Sequence, residues 1–223
     1  MTGGAGLTTV DPMSLVAGCP RCRAAVEHDG RTHCPVHGEV RTLWLPSSES
    51  EVSYSAFTDL LGVAEDFPTY LPWPMSPGWS VTDFGVVAGT RPWATATCVS
   101  GTSELDGPVD VFVVAEEPGT GLGARCAAID RSDPGREVGE GQPAVKVRIA
   151  SQAVPLWAVS TSSSDELFDR SVFAGEADGR WLWLVLRPAS AMLLLRDDWI
   201  LRDVSTVGPP LLEMPFGGPR PAW

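Results

Sequence analysis

Cys19-Pro20-Arg21-Cys22 and Cys34-Pro35-Val36-His37 put four soft donors into two tight turns, with residues 23–33 between them. Thiolate and imidazole donors in such pairs are what a tetrahedral zinc site requires. Two facing turns fill all four corners and leave no position for a substrate. The spacing therefore predicts one zinc with a folding role, bound by Cys19, Cys22, Cys34 and His37. His28 and His33 are rivals for the fourth place, since a ring from the intervening segment could reach the metal. His37 is favoured because the Cys-Pro-Val-His turn presents it as a knuckle ligand.

Other residues could carry chemistry. Gly119-Thr120-Gly121-Leu122-Gly123 follows the apolar run Val111–Ala115 and precedes Arg125-Cys126-Ala127-Ala128, which could begin a helix. Backbone amides in such a turn can cradle an anion. The spacing is G-x-G-x-G, without the Lys-Ser/Thr of a P-loop, and Glu116-Glu117 stand beside it. All three histidines precede residue 38, so the later residues supply no Ser-His-Asp or Cys-His site. Lys146 is the single lysine, which disfavours Schiff-base chemistry. Cys98 reads as a small buried hydrophobe on a strand. Cys126, next to Arg125 and the glycine turn, could have a lowered thiol pKa. Glu116, Glu117, Asp130, Asp133, Asp165, Glu166 and Glu176 could include a glycosidase-like pair, with solvated surface as the default for each. Glu176, flanked by small residues, is expected to face inward with Arg187 as its partner.

These groups need elements to hold them. Asp29-Gly30 between two short runs predicts a hairpin with a two-residue turn. Knuckle, hairpin and knuckle together predict a zinc ribbon over 18–46, and Gly38 suits the second knuckle. Residues 1–17 are expected to be disordered and 47–53 to be a polar linker. Ser53 or Ser55 should cap a helix through about Glu65, with Tyr54, Phe57, Leu60, Leu61 and Ala64 as its apolar stripe. Four prolines in Pro68–Pro77 rule out helix and central strand. That stiff segment should lay Tyr70, Trp73 and Trp79 on an apolar surface. From Trp79 the chain reads as strands at Ser80–Val87, Ala94–Ser100, Val109–Glu116, Ala144–Ile149, Leu156–Ser160, Ser171–Glu176, Trp181–Arg187 and Met192–Leu201. Asp178-Gly179 marks another hairpin turn. Val111–Ala115 is apolar throughout and predicts a strand buried on both faces. The fold class expected is α+β, mostly antiparallel β: a zinc-ribbon head, a β-rich domain over 54–204 and an irregular Pro/Gly-rich tail over 205–223.

Composition narrows the function classes. The hydrophobic share of 43% suits a globular protein. The net charge is −12. Residues 1–46 hold four acids and four arginines, so the acidic excess lies in the remainder, with 24 acids and 12 bases. Such a surface repels phosphate backbones, which argues against nucleic acid as a partner. Cys98 and Cys126, the only cysteines outside the knuckles, do not make a disulfide framework, and a reducing compartment is expected. Leu15–Cys19 matches a lipoprotein cleavage box, but the residues before it lack a basic n-region and an apolar h-region. No run approaches the ~20 apolar residues of a membrane span. The chain is therefore expected to be cytoplasmic.

Several stretches together resemble an uncharacterised actinobacterial family, a domain of unknown function with an N-terminal zinc ribbon. They are the CPRC…CPVHG head, LPWPMSPGW (71–79), AEEPGTGLGARCAAID (115–130), PLWAVS (155–160) and VFAGEADGRWLWLVL (172–186). The resemblance covers most of 18–204 and implies the same layout and a cytoplasmic location, without supplying a function. The expected function is a non-catalytic binding or regulatory module. Its partner would be a protein or small molecule, docked at the head or at the Pro/Trp segment. The alternative is an acyl- or phosphoryl-transfer enzyme using the glycine turn 119–123.

Overall fold

The computed structural model describes residues 15–161, 169–196, 199–207 and 213–223. In chain order the elements are β1 (Leu15–Gly18), β2 (Glu27–His28), β3 (Thr32–Cys34), β4 (Gly38–Val40), β5 (Thr42–Pro46), α1 (Tyr54–Ala64), β6 (Tyr70–Pro72), β7 (Ser80–Ala88), β8 (Pro92–Ser103), β9 (Gly107–Glu116), α2 (Leu122–Ala127), β10 (Val145–Ile149), β11 (Gln152–Ala158), β12 (Ser171–Ala177), β13 (Arg180–Arg187) and β14 (Ile200–Asp203). The protein is α+β and mostly antiparallel. Eleven strands form one sheet in the order β1-β5-β7-β8-β9-β13-β12-β11-β10-β14-β6, and β2-β3-β4 form a small second sheet. Among the described residues the β10–β14 pair is parallel. No helix among them is long and apolar enough to cross a membrane.

The large sheet doubles back on itself. Its last strand, β6, lies over its middle: the Thr95 and Thr97 hydroxyls on β8 donate to the carbonyls of Pro68 (2.5 Å) and Tyr70 (2.6 Å). This covers one face of β8, β9 and β13, and α2 covers part of the other. The sequence of β9 follows from that. Val111, Val113 and Ala115 enter one apolar cluster together with Phe57, Leu60 and Phe84. Phe112 and Val114 enter a second cluster together with Leu122, Cys126 and Trp183. On the neighbouring β13, Leu182, Leu184 and Leu186 face the first cluster, and Trp183 and Val185 the second. A strand covered on both sides has no polar alternate positions, so Val111–Ala115 is a central strand, as its composition predicts.

Helix α1 begins where expected. The Ser53 hydroxyl accepts from the Ala56 amide at 3.3 Å, satisfying one of the free donors of the first turn. The Asp178-Gly179 turn also forms as expected, with both residues at positive φ and Ala177 paired to Arg180. At Asp29-Gly30 the outcome differs. His28 pairs with Thr32, so the loop holds three residues, and among them positive φ falls on Gly30.

Other departures have clear causes. Of the strand expected over Met192–Leu201, Ile200 and Leu201 lie in β14, while Met192–Arg196 do not form a strand. Ala189–Arg196 is a 3-10 helix, and Ala191 and Leu195 are buried while Met192 and Leu193 are exposed. Two exposed residues in a row break the alternation that a half-buried strand needs. Pro188 ends β13 just before the 3-10 helix. Leu15–Ala17 lie within β1, which pairs with β5; residues 1–14 of the stretch expected to be disordered lie outside the described residues. β5 in turn pairs with β7. Both β1 and β5 therefore belong to the large sheet, although the expected linker 47–53 follows them. The Pro/Trp segment packs on the body: Tyr70 and Trp79 are buried, and Trp73 is half-buried beneath the Arg202 guanidinium, 4.8 Å away.

The tail is irregular yet anchored, apart from Pro209 and Pro210, which lie outside the described residues. The Gly217 amide donates to the Val81 carbonyl at 2.9 Å. Trp223 is buried. Its indole N–H donates to Oδ2 of Asp83, and Nε of Arg220 donates to the same oxygen at 2.6 Å.

Candidate metal centre

The two knuckles face each other. One ligand atom from each of Cys19, Cys22, Cys34 and His37 can be chosen so that all lie within 4.8 Å of one another, and the group could hold a metal ion. The Sγ atoms of Cys19 and Cys34 are each 3.6 Å from Nδ1 of His37, and Sγ of Cys22 is 3.6 Å from Sγ of Cys34. A tetrahedral ion with Zn–S bonds of about 2.3 Å and a Zn–N bond of about 2.0–2.1 Å would have edges of about 3.5–3.8 Å. His33 lies exposed on β3, outside the group. Nδ1 of His28 is 2.8 Å from the Thr32 hydroxyl, and its ring meets Trp44 edge-on.

Local backbone prepares the ligands. The Arg21 amide donates to Sγ of Cys19 at 3.4 Å. Burial pushes the Cys19 thiol up to about 11. At Cys34 burial also acts upward. The backbone N–H groups of Val36 and His37 and the His37 ring outweigh it and bring the thiol down to about 6. Gly38 closes the second knuckle at positive φ.

The first knuckle is docked on the glycine turn. Nη2 of Arg21 donates to the Gly119 carbonyl at 2.9 Å, and Nη1 of Arg125, on α2, donates to the Cys19 carbonyl. A Cβ on Gly121 would sit 2.9 Å from Cγ of Arg21, so only glycine lets the two approach this closely.

Three amides of that turn are already committed within the protein. Gly119 N–H donates to Asp133 at 2.7 Å, Thr120 N–H to the Glu117 carbonyl at 3.2 Å, and Leu122 N–H to Oε2 of Glu116 at 2.7 Å. Asp133 also accepts from the Trp181 indole at 2.9 Å. The acceptor under the turn is the chain's own Glu116 carboxyl.

Glu116 is fully buried on the face of β9 beneath α2. Burial pushes it up to about 8, against the pull of the Leu122 and Gly123 amides. Its Oε1 and the Trp183 indole N–H both lack a full hydrogen bond, although the indole lies close enough to favour the charged form slightly. The Trp183 ring packs flat against Gly123, where a Cβ would meet it at 2.3 Å.

A consequence for stability follows. The native state holds the Glu116 proton up to about pH 8, whereas an unfolded chain releases it near the ordinary value of 4.5. Between those limits the native state binds more protons, so stability falls as pH rises, by up to about 1.4 kcal/mol per pH unit from this group. Glu116→Gln keeps an acceptor for the Leu122 amide and removes the titration. Urea denaturation at pH 5 and pH 9 should show a flatter profile for this variant; an unchanged profile would contradict the assignment.

The remaining candidates are dispersed. Glu176 is exposed rather than inward, paired across the sheet with Trp181. Arg187 instead donates to the Ala222 carbonyl at 2.6 Å. The expected Glu176–Arg187 pair fails because the β12–β13 register places them far apart along the two strands. Glu117 pairs with Arg91 (3.5 Å) and Arg180 (3.4 Å), and Asp130 is exposed. Asp165 and Glu166 lie outside the described residues. Cys98 and Cys126 are buried free thiols, and burial pushes Cys126 up to about 12, away from reactivity. Sequence reasoning missed Asp83, a fully buried carboxylate; an acid inside the apolar run of β7 was the available signal.

No curated protein and no solved structure matches this chain. One family model matches residues 13–223, nearly the whole length. Its members share a domain of unknown function, in agreement with the resemblance of the quoted motifs at that level. The chain belongs to this family of unknown function, DUF6758.

Proposed function

We propose that Cys19, Cys22, Cys34 and His37 bind one structural zinc ion in a zinc ribbon, and that the protein is a non-catalytic binding or regulatory module of the cytoplasm. The observation that carries this reading is the ligand geometry: three donor–donor distances are 3.6 Å, near the edges of a tetrahedral zinc shell, and all four donors lie within 4.8 Å of one another. Three thiolates and an imidazole favour zinc over the hard cations. Five free cysteines suit a reducing compartment.

The alternative, acyl or phosphoryl transfer at 119–123, needs free amides for an incoming anion. Those of Gly119, Thr120 and Leu122 are bonded to Asp133, Glu117 and Glu116. The Asp133 carboxylate there would also oppose a phosphate. The binding-module reading is the better supported.

Elemental analysis tests the metal assignment. The wild-type chain should carry one zinc. The His37→Ala variant should lose most of it in competition with a chelator, while His33→Ala should retain it. Full retention by His37→Ala would overturn the ligand set.

A further inference from the structure

We infer that the cleft between the metal knuckle and the β7–β8 turn is a binding site for a small multivalent oxyanion, a phosphoryl- or carboxylate-bearing molecule. Arg21, Arg31 and Arg41 hold it. The inference gives the binding-module reading a ligand class, and rests on that reading in that Arg21 is carried by the metal knuckle.

A cavity of about 620 Å³ lies there, with Arg21, Arg31, Arg41 and Thr42 along the head side and Gly89 and Thr90 along the turn. That is within the usual size of a small-molecule site, about 300–1,000 Å³. The surrounding chain carries −12. Three guanidinium groups converging on one concave surface of such a protein are a local reversal of sign. Glu39 also lines the cleft and is occupied by Arg31 at 3.3 Å. Arg21 and Arg41 have no carboxylate within ion-pair distance among the described residues.

Arg41 is prepositioned. Its guanidinium carbon stands 3.6 Å from the centre of the Trp93 ring, and that of Arg91 stands 3.7 Å from the same centre. Two planar cations at those distances cannot share one face, so Trp93 is sandwiched between them. Stacking fixes the plane of Arg41 while leaving its N–H edge available for a bidentate oxyanion. Arg21 is fixed at the other side by the Gly119 carbonyl. The like charges are close enough to matter: burial, then Arg91 and Arg21, pull Arg41 below its ordinary pKa. A bound dianion would relieve that repulsion. The acidic body around the cleft opposes a long polyanion, which favours a compact ligand over nucleic acid.

The test is calorimetric titration of the full chain at low salt, after its zinc content has been measured. Pyrophosphate is the phosphoryl probe and citrate the carboxylate probe. We expect saturable binding of at least one of them at millimolar or lower concentration. Arg41→Gln and Arg21→Gln should each weaken it about tenfold, the scale of one lost charge-assisted bidentate contact. Lys146→Gln, which removes the same charge from the distant β10, should leave it unchanged. Binding of pyrophosphate alone identifies a phosphoryl ligand, and binding of citrate alone a carboxylate. No heat with either probe, or wild-type affinity in the two arginine variants, would overturn the proposal. A chain found to lack zinc would sink the metal reading separately, with the titration still reporting on the cleft.

Discussion

Chelation of the metal is expected to melt the small sheet β2-β3-β4 and leave the large sheet from β7 to β13 folded. Within 19–46 the buried residues are few, and two of them, Cys19 and Cys34, belong to the group that could hold the metal. Such a segment buries too little apolar surface to order its backbone without the ion. The body has two apolar clusters of its own, and both survive. The contacts between them set how far the loss spreads. Arg21 to Gly119 and Arg125 to Cys19 tie the knuckle to the glycine turn and α2, so α2 should also lose protection, though less. Hydrogen exchange before and after chelation reads each segment. Amides of 27–40 should approach the rates of an unfolded chain. Unchanged exchange there would mean that the ribbon does not depend on metal, and loss throughout β7–β13 would mean one cooperative unit.

Asp83→Ala should cost about 3–5 kcal/mol, the scale for breaking a buried ion pair by removing one partner. Asp83 is fully buried. One oxygen accepts the Phe84 amide at 2.8 Å, and the other accepts both Arg220 and the Trp223 indole. Arg220 also reaches the Pro46 carbonyl at 2.7 Å, so the same residue braces β5. Alanine would leave Arg220 without its counter-charge and release Trp223 from Phe112. Asp83→Asn keeps an acceptor for Phe84 and loses only the charge, and should fall between alanine and wild type. Urea denaturation of the three proteins decides the matter; a loss under about 1 kcal/mol for alanine would show that the tail contributes little.

Where the chain's local physics decides the structure, the sequence could be read. The apolar run Val111–Ala115, the Ser53 cap and Asp178-Gly179 each specify their conformation within a few residues. The clustering of Cys19, Cys22, Cys34 and His37 was legible for the same reason, since each pair sits in a local turn. What escaped depends on distant partners. β1 and β6 are short, and their pairing with β5 and β14 is fixed by tertiary packing that no periodicity announces. The tail reads as irregular by composition, which gives no sign that Arg220 and Trp223 are held by Asp83, far away in sequence. Glu176 and Glu116 show the same limit. Small neighbours suggested that Glu176 was buried. Glu116 is the buried one, because α2 folds over the end of β9 and supplies the Leu122 amide.

The metal centre is the claim on which the functional reading stands, and zinc-edge X-ray absorption of the protein as purified tests it most directly. A stoichiometric ion with three sulfur neighbours at about 2.3 Å and one nitrogen at about 2.0–2.1 Å is the expected shell. A protein purified without zinc, or a shell containing an exchangeable water oxygen in place of a fourth protein ligand, would contradict a closed structural site formed by Cys19, Cys22, Cys34 and His37.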